Sequence, residues 1–251
     1  MNSLLNVYMN ICDRVASHCS ALVTPLFVTN EVTFVIHSVI VALFAIGAVK
    51  LGRGALTAFM AVCWVLGNFF VTKQATLFGL DVVTSDAFSI GANIAVTLIQ
   101  QYYGKKAAQN AIWIGFYCAL FFALMSQVHL LYVPNTADIT HPHFSALLER
   151  MARMILSSFF VAFISMNLNI YLFELFNRLL AGRYFMVSAF SALAISQVVD
   201  TVLFTLVALS GHVVSVVNII VFSSTVKIIA LLIGVPVVSF ARTFIKGHST
   251  L

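Results

Sequence analysis

Apolar runs of about 20 residues recur along this chain, and they limit what it can fold into. An α-helix of that length spans about 30 Å, which matches the hydrocarbon core of a bilayer. The runs are too long for the strands of a membrane barrel, and they lack the alternation of such strands. Hydrophobic residues make up 61% of the chain and charged residues only 8%, whereas a soluble domain is about 25% charged. These features predict an all-α integral membrane protein.

Seven segments are apolar enough to enter the membrane, which predicts a bundle of six to seven transmembrane helices. The third is short and carries Asn93, Thr97 and Gln100, so we expect it to pack inside the protein or to re-enter the membrane as a half-helix. Residues 1–30 mix apolar and charged side chains and are predicted to form an N-terminal interfacial segment, and residues 31–251 a single transmembrane domain. The predicted helices cover about 32–49, 55–71, 88–103, 111–133, 151–176, 185–209 and 213–240.

Basic residues separate the apolar segments, and their distribution predicts the orientation of the protein. The net charge of +5 arises from residues that membrane topology requires, so nucleic acid is not expected as a partner. If all seven segments cross, eight basic residues share the side of the C-terminus and four lie opposite, which predicts a cytoplasmic C-terminus. The eight are Lys50, Arg53, Lys105, Lys106, Arg178, Arg183, Arg242 and Lys246, and the four are Arg14, Lys73, Arg150 and Arg153.

The sequence lacks motifs for enzymatic chemistry and for metal binding. None of the four cysteines forms a C-x-x-C pair, so neither a disulfide framework nor a zinc site is suggested. Asp138, His141 and His143 share a loop that we interpret as solvated rather than as a metal site. There is no G-x-x-x-x-G-K-[ST] phosphate loop, no H-E-x-x-H and no G-x-S-x-G. We therefore expect neither an enzyme nor a cofactor.

Two charged side chains lie near the middle of predicted helices, Asp200 in the sixth and Lys227 in the seventh. A charge at the centre of a membrane helix costs about 2.5–3.5 kcal/mol on insertion scales. The two residues are expected at similar depth, where neighbouring antiparallel helices could bring them together. They form either a structural ion pair or part of a substrate site, and intramembrane ionisable groups favour the second interpretation.

A polar pattern in the fifth predicted helix recurs 31 residues later in the sixth. Ser165 and Asn169 align with Ser196 and Asp200, and each pair, four residues apart, lies on one helical face. Such groups could simply hydrogen-bond between helices. Because the pattern occurs twice, we favour a working site between these two helices. The sixth helix adds Gln197 and Thr201 at the same spacing.

Four stretches of the chain, between about Gly67 and Pro236, carry a resemblance to a known family. They read GNFFVTK with LFGL at 67–80, YGKKA with IWIGF at 103–116, and SQVVDTVLF at 196–204, the most specific of the four. The remaining stretch is Arg153 with Ser158, Ser165, Asn169 and Phe173. In these stretches the chain resembles the queuosine precursor transporter family, also described as a putative vitamin uptake transporter family.

The resemblance implies import of a 7-deazapurine base used to make queuosine, namely queuine, preQ1 or preQ0. A carboxylate can accept two hydrogen bonds from the guanine-like edge of such a base. We expect Asp200 in this role, held ionised by Lys227, with Gln197 and Asn169 on the carbonyl and the remaining edge and a phenylalanine stacked on the ring. The expected substrate-binding set is completed by Asn68, Arg153, Ser165 and Thr201.

The chain departs from the family pattern at acidic positions. The family usually has an Asp and often a Glu in the third segment, where this chain has Thr97 and Gln101, and it often has an Asp in place of Asn169. Asp200 is then expected to be the sole acid in the membrane core. A less acidic and roomier site would suit queuine, which carries an additional cyclopentenediol.

For the mechanism we favour alternating access by the helices around the site, without ATP hydrolysis by this chain, and we expect the protein in the bacterial cytoplasmic membrane. Facilitated diffusion, proton coupling through Asp200 and partner-driven uptake are all compatible with the sequence. The competing interpretation is a substrate-binding subunit of a multi-component vitamin importer driven by a separate ATPase. The expected partners are the base and the lipid bilayer, and the sequence leaves open whether the protein forms a homo-oligomer.

Overall fold

Helices dominate the computed structural model, which describes residues 29–77, 79–208 and 216–245. Within those residues seven helices follow one another, and a β-hairpin separates the second from the third. The predicted interfacial segment, 1–30, falls outside the described residues except for its last two. The elements are α1 (Asn30–Leu51), α2 (Arg53–Phe69), β1 (Gln74–Leu77), β2 (Leu80–Val83), α3 (Asp86–Tyr103), α4 (Lys105–Leu130), α5 (His141–Leu179), α6 (Phe185–Ala208) and α7 (Val216–Ile245).

Five of the described helices contain a stretch long and apolar enough to cross a bilayer, namely α1, α4, α5, α6 and α7. Helix α2 is apolar but has only 17 residues, which corresponds to about 26 Å. The predicted class, a helical multi-pass membrane protein, is confirmed. The number of transmembrane helices, six to seven, stays a prediction because α2 and α3 fall short of a full apolar span.

Helix α3 lies inside the bundle, in contact with α1, α2, α4 and α7. Every residue from Ile90 to Gln100 is buried. At Gly91 an added Cβ would lie 2.3 Å from Val41 Cγ1, so α1 and α3 approach too closely for any side chain there. The structure thus packs this polar segment within the protein, one of the two arrangements that the sequence left open.

Single glycines turn the chain between α1 and α2 and between α3 and α4. Gly52 has φ 98° and Gly104 has φ 88°, in the region that side chains other than glycine rarely adopt. Each turn therefore reverses the chain within one residue. Lys50, Arg53 and Lys105 flank the two turns, so both turns place positive charge at the same end of the bundle.

Two long-range contacts define the ends of the bundle. Lys105 Nζ lies 2.7 Å from Glu174 Oε2, which joins the start of α4 to the last turns of α5. We call this the basic end. At the opposite end the Asn30 amide donates to the Thr76 carbonyl at 3.1 Å, which joins the start of α1 to the hairpin. We call this the hairpin end.

Two features of the described fold depart furthest from the prediction. Helix α5 begins at His141, not near residue 151, because Pro142 in its first turn lacks an N–H that would need a partner there. Asp138 also accepts hydrogen bonds from the backbone N–H groups of Thr140 and His141 at the start of this helix. The second feature is the antiparallel hairpin, which occupies a stretch that the sequence left unassigned.

Candidate functional site

A cavity of about 190 Å³ lies among α2, α3, α5, α6 and α7. Since about 10–15 Å³ of such space holds one water molecule, the cavity has room for on the order of a dozen. Val71, Val83 and Ser85 belong to its wall, which places the cavity in the half of the bundle near the hairpin end. The aromatic lining residues are Trp64 and Phe204.

Three charged side chains of the described residues line this cavity and meet across three helices. Lys227 Nζ lies 2.8 Å from Asp200 Oδ2 and 4.0 Å from Asp86 Oδ1. The side chains of Lys227, Asp86 and Asp200 are 8%, 13% and 16% exposed, so water screens the pair and the third charge only weakly. The predicted approach of Asp200 and Lys227 is therefore present, as a charge-assisted hydrogen bond.

Ser165 orients the carboxylate of Asp200. Its hydroxyl lies 2.7 Å from Asp200 Oδ1, and the backbone carbonyl of Val161, at 2.8 Å, is the competing acceptor for its single proton. Because Lys227 occupies the other oxygen of Asp200, both carboxylate oxygens have a partner while each keeps a further lone pair. The arrangement holds one acceptor group in a fixed direction at the cavity wall.

Two further predicted residues, Asn68 and Thr201, also line the cavity. The Asn68 amide donates to the Trp64 carbonyl at 2.9 Å, and its oxygen accepts from the Ser158 hydroxyl at 3.0 Å. The Thr201 hydroxyl donates to the Gln197 carbonyl within α6. The cavity thus brings together five of the eight predicted site residues, namely Asn68, Ser165, Asp200, Thr201 and Lys227.

Gln197 and Asn169 are not part of the cavity wall. Both are buried, with 1% and 0% exposure, and both lie nearer the basic end than Asp200 and Ser165. The Asn169 amide donates to the Thr97 hydroxyl at 3.0 Å, so this pair forms a separate polar contact between α5 and α3. The eighth predicted residue, Arg153, has a side chain outside the described part of the structure, although its backbone lies in α5.

Asp86 is a charged residue of the cavity wall that was not predicted from the sequence. The third helix was predicted to begin near residue 88, which left Asp86 in the preceding loop, and Asp200 was expected to be the sole acid of the core. A signal was present, since an acidic residue is favoured in the first turn of a helix, where unpaired N–H groups attract negative charge. Asp86 is the first residue of α3.

Similarity to known proteins identifies the family of this chain. The family model of the putative vitamin uptake transporter matches residues 88–241. The chain belongs to this family. It is also 29% identical over 216 residues to a "Probable queuosine precursor transporter" from Bacillus subtilis (strain 168), covering 85% of this chain and 93% of that protein. No solved structure matches it.

Membership of this family makes the protein a membrane transporter rather than an enzyme. The matched region begins within α3 and ends within α7, so it contains Ser165, Asp200 and Lys227 but not Asp86 or Asn68. Both matched descriptions are of transporters, and neither names a binding subunit.

Proposed function

We propose that this protein imports a queuosine precursor base through the bacterial cytoplasmic membrane, and that the charged cavity is its binding site. The similarity to the Bacillus subtilis protein supports the class of cargo. The observation that supports this site is the Asp200 carboxylate, held by Ser165 and Lys227 at the wall of a cavity with room for on the order of a dozen water molecules.

The chemistry of recognition follows from the lining. A guanine-like edge presents a ring N–H and an exocyclic amine, which the free lone pairs of Asp200 can accept together. Trp64 and Phe204 offer flat faces on which the ring can stack. The amide oxygen and nitrogen of Asn68 already have protein partners. We therefore assign Asn68 to positioning Ser158 rather than to hydrogen bonding with the base.

The charge of the cavity bears on which base is carried. Among the described side chains that line it, two carboxylates face one ammonium group, which leaves one negative charge without a counter-ion. Asp86 lies farther from Lys227 than Asp200 does and is the carboxylate left for a ligand cation. A base with a protonated amine, such as preQ1 or queuine, would supply that charge, whereas the nitrile of preQ0 would not.

Competition binding tests the charge argument. Purified protein should prefer labelled preQ1 over preQ0 by at least tenfold, and Asp86→Asn should remove most of that preference while preQ0 binding changes little. Glu149→Gln, an exposed acid on α5, serves as the control and should behave as the wild type. A wild type that binds preQ0 as tightly as preQ1, or an Asp86→Asn variant that weakens both bases equally, would contradict it.

For the mechanism we propose alternating access with no ATP hydrolysed by this chain. Proteoliposomes that contain only this protein should take up labelled preQ1 down its gradient. Uptake that requires an added ATPase would instead identify a substrate-binding subunit of a larger importer. Collapse of a pH gradient in the same vesicles should abolish uptake if transport is coupled to protons. It should leave uptake unchanged if transport is facilitated diffusion.

A further inference from the structure

Three buried amide side chains form a layer between the cavity and the basic end of the bundle. They are Gln100 on α3, Asn169 on α5 and Gln197 on α6, with 8%, 0% and 1% exposure. We call them the amide layer. Gln197 precedes Asp200 by three residues and Asn169 follows Ser165 by four, so the layer lies roughly 5–6 Å from the Ser165–Asp200 contact along the two helices, toward the basic end.

The amide layer leaves hydrogen-bonding capacity unused. Among the described residues, neither side-chain atom of Gln197 has a partner, and the same holds for Asn169 Oδ1 and Gln100 Oε1. The other ends of two of these amides are bonded, Asn169 to Thr97 at 3.0 Å and Gln100 to the Ile170 carbonyl at 2.8 Å. Within the described structure the layer therefore presents one unpaired amide and two unpaired carbonyl oxygens, all of them buried.

Unpaired amides in a membrane core are costly, because neither water nor lipid can satisfy them. A role in packing alone would be served better by apolar side chains of similar volume, which carry no such penalty. In depth, the layer also lies between the cavity and the basic end. Its groups, amide N–H donors and carbonyl acceptors, match the lactam and amine edge of a flat heterocyclic base.

We propose that the amide layer is a second, closed binding station, which contacts the base only after it leaves the charged cavity. In this proposal the three buried side chains close the way from the cavity toward the basic end, and separation of α3, α5 and α6 at this level admits the base. The cargo exchanges the hydrogen bonds of the cavity for those of the layer, so its polar edge does not pass through an apolar barrier. The identity of the cargo rests on the function proposed above, whereas the existence of the layer does not.

Variants that remove the amides but keep their volume test this proposal. Gln197→Met and Asn169→Leu each replace an unsatisfied or half-satisfied amide with an apolar side chain. We expect a melting temperature equal to or above that of the wild type, binding of labelled preQ1 within about twofold, and uptake into proteoliposomes reduced at least tenfold. The control is Asn167→Leu, because within the described residues the Asn167 amide donates to the Phe163 carbonyl of its own helix, and uptake by this variant should be unchanged.

The three measurements separate the alternatives. Loss of folding in both variants would show that the amides are structural, and loss of binding in proportion to uptake would place them in a single site with Asp200. Unchanged uptake would remove the layer from the path. A wild type that binds no preQ1 would overturn the proposed function, and the melting temperatures would then still decide whether these amides are structural.

Discussion

At the scale of single residues, the cavity is defined by how Asp200 is held. A carboxylate in a membrane core is destabilising unless it is paired, and breaking a buried pair typically costs about 3–5 kcal/mol. Lys227 and Ser165 occupy the two oxygens of Asp200, from α7 and α5 respectively. A group this strongly positioned loses little freedom when it accepts hydrogen bonds from a ligand.

Replacement of Ser165 by alanine should weaken substrate binding without unfolding the protein. The change removes a hydrogen bond to a charged group, worth about 1.5–3 kcal/mol, and frees the Asp200 carboxylate to rotate. We expect a roughly tenfold rise in the Kd for preQ1, measured on purified protein. Ser38→Ala is the matched control, since that buried hydroxyl donates to the Phe34 carbonyl of its own helix, and an equal loss in both variants would contradict the role of Ser165.

The sequence was informative about residues whose chemistry is unusual for their surroundings. Asp200 and Lys227 could be predicted because ionisable groups are rare in membrane segments, and Ser165 because its pattern recurs 31 residues later as Ser196. The sequence could not predict which polar residues line the cavity and which belong to the amide layer. Gln197 and Asp200, for example, lie three residues apart on one helical face and differ only in depth. Asp86 was missed because its helix begins two residues earlier than predicted.

At the scale of elements, the position of α3 determines the cavity. This helix carries Asp86 at its first residue and Gln100 near its last turn, so it contributes to both the cavity and the amide layer. It can occupy the centre of the bundle because Gly91 lets the Val41 side chain of α1 contact its backbone.

Substitution of Gly91 by alanine should force α1 and α3 apart. A Cβ at 2.3 Å from Val41 Cγ1 cannot be accommodated without movement, and overpacking of this kind costs about 1–3 kcal/mol. We expect a lower melting temperature together with reduced preQ1 uptake. Gly47→Ala on α1 has open space around the new methyl group and should leave both unchanged. A Gly91→Ala variant as stable as the wild type would show that the two helices can separate freely.

The elements were predictable where length and apolarity decide them, and the predicted and observed ends of α1, α2 and α6 agree within two residues. The start of α5 could not be predicted, because its first turns are amphipathic rather than apolar. The two histidines beside Pro142 indicate a loop as readily as the start of a helix. The hairpin consists of strands of only four residues, too short for alternation to be recognised.

At the scale of the whole molecule, the distribution of charge relates the cavity to the membrane. The basic end gathers Lys50, Arg53, Lys105 and Arg178, and an excess of positive charge marks the cytoplasmic side. We therefore propose that the basic end is cytoplasmic, which places the cavity in the outer half of the protein and the amide layer between it and the cytoplasm.

Cysteine labelling tests this orientation. In a background without native cysteines, Asn135→Cys in the loop before α5 should react with an impermeant thiol reagent in intact spheroplasts. Lys106→Cys at the basic end should react only after the membrane is permeabilised. Both positions are exposed in the structure, so the opposite pattern would reverse the proposed orientation.

The most direct test of the account is equilibrium binding of labelled preQ1 to purified protein, with Asp200→Asn measured beside the wild type and Glu149→Gln. The account predicts saturable binding by the wild type and by Glu149→Gln, and at least a tenfold loss in an Asp200→Asn protein that remains folded. If the Asp200 substitution leaves binding unchanged, or if the wild type binds no preQ1, the charged cavity is not the binding site of the base.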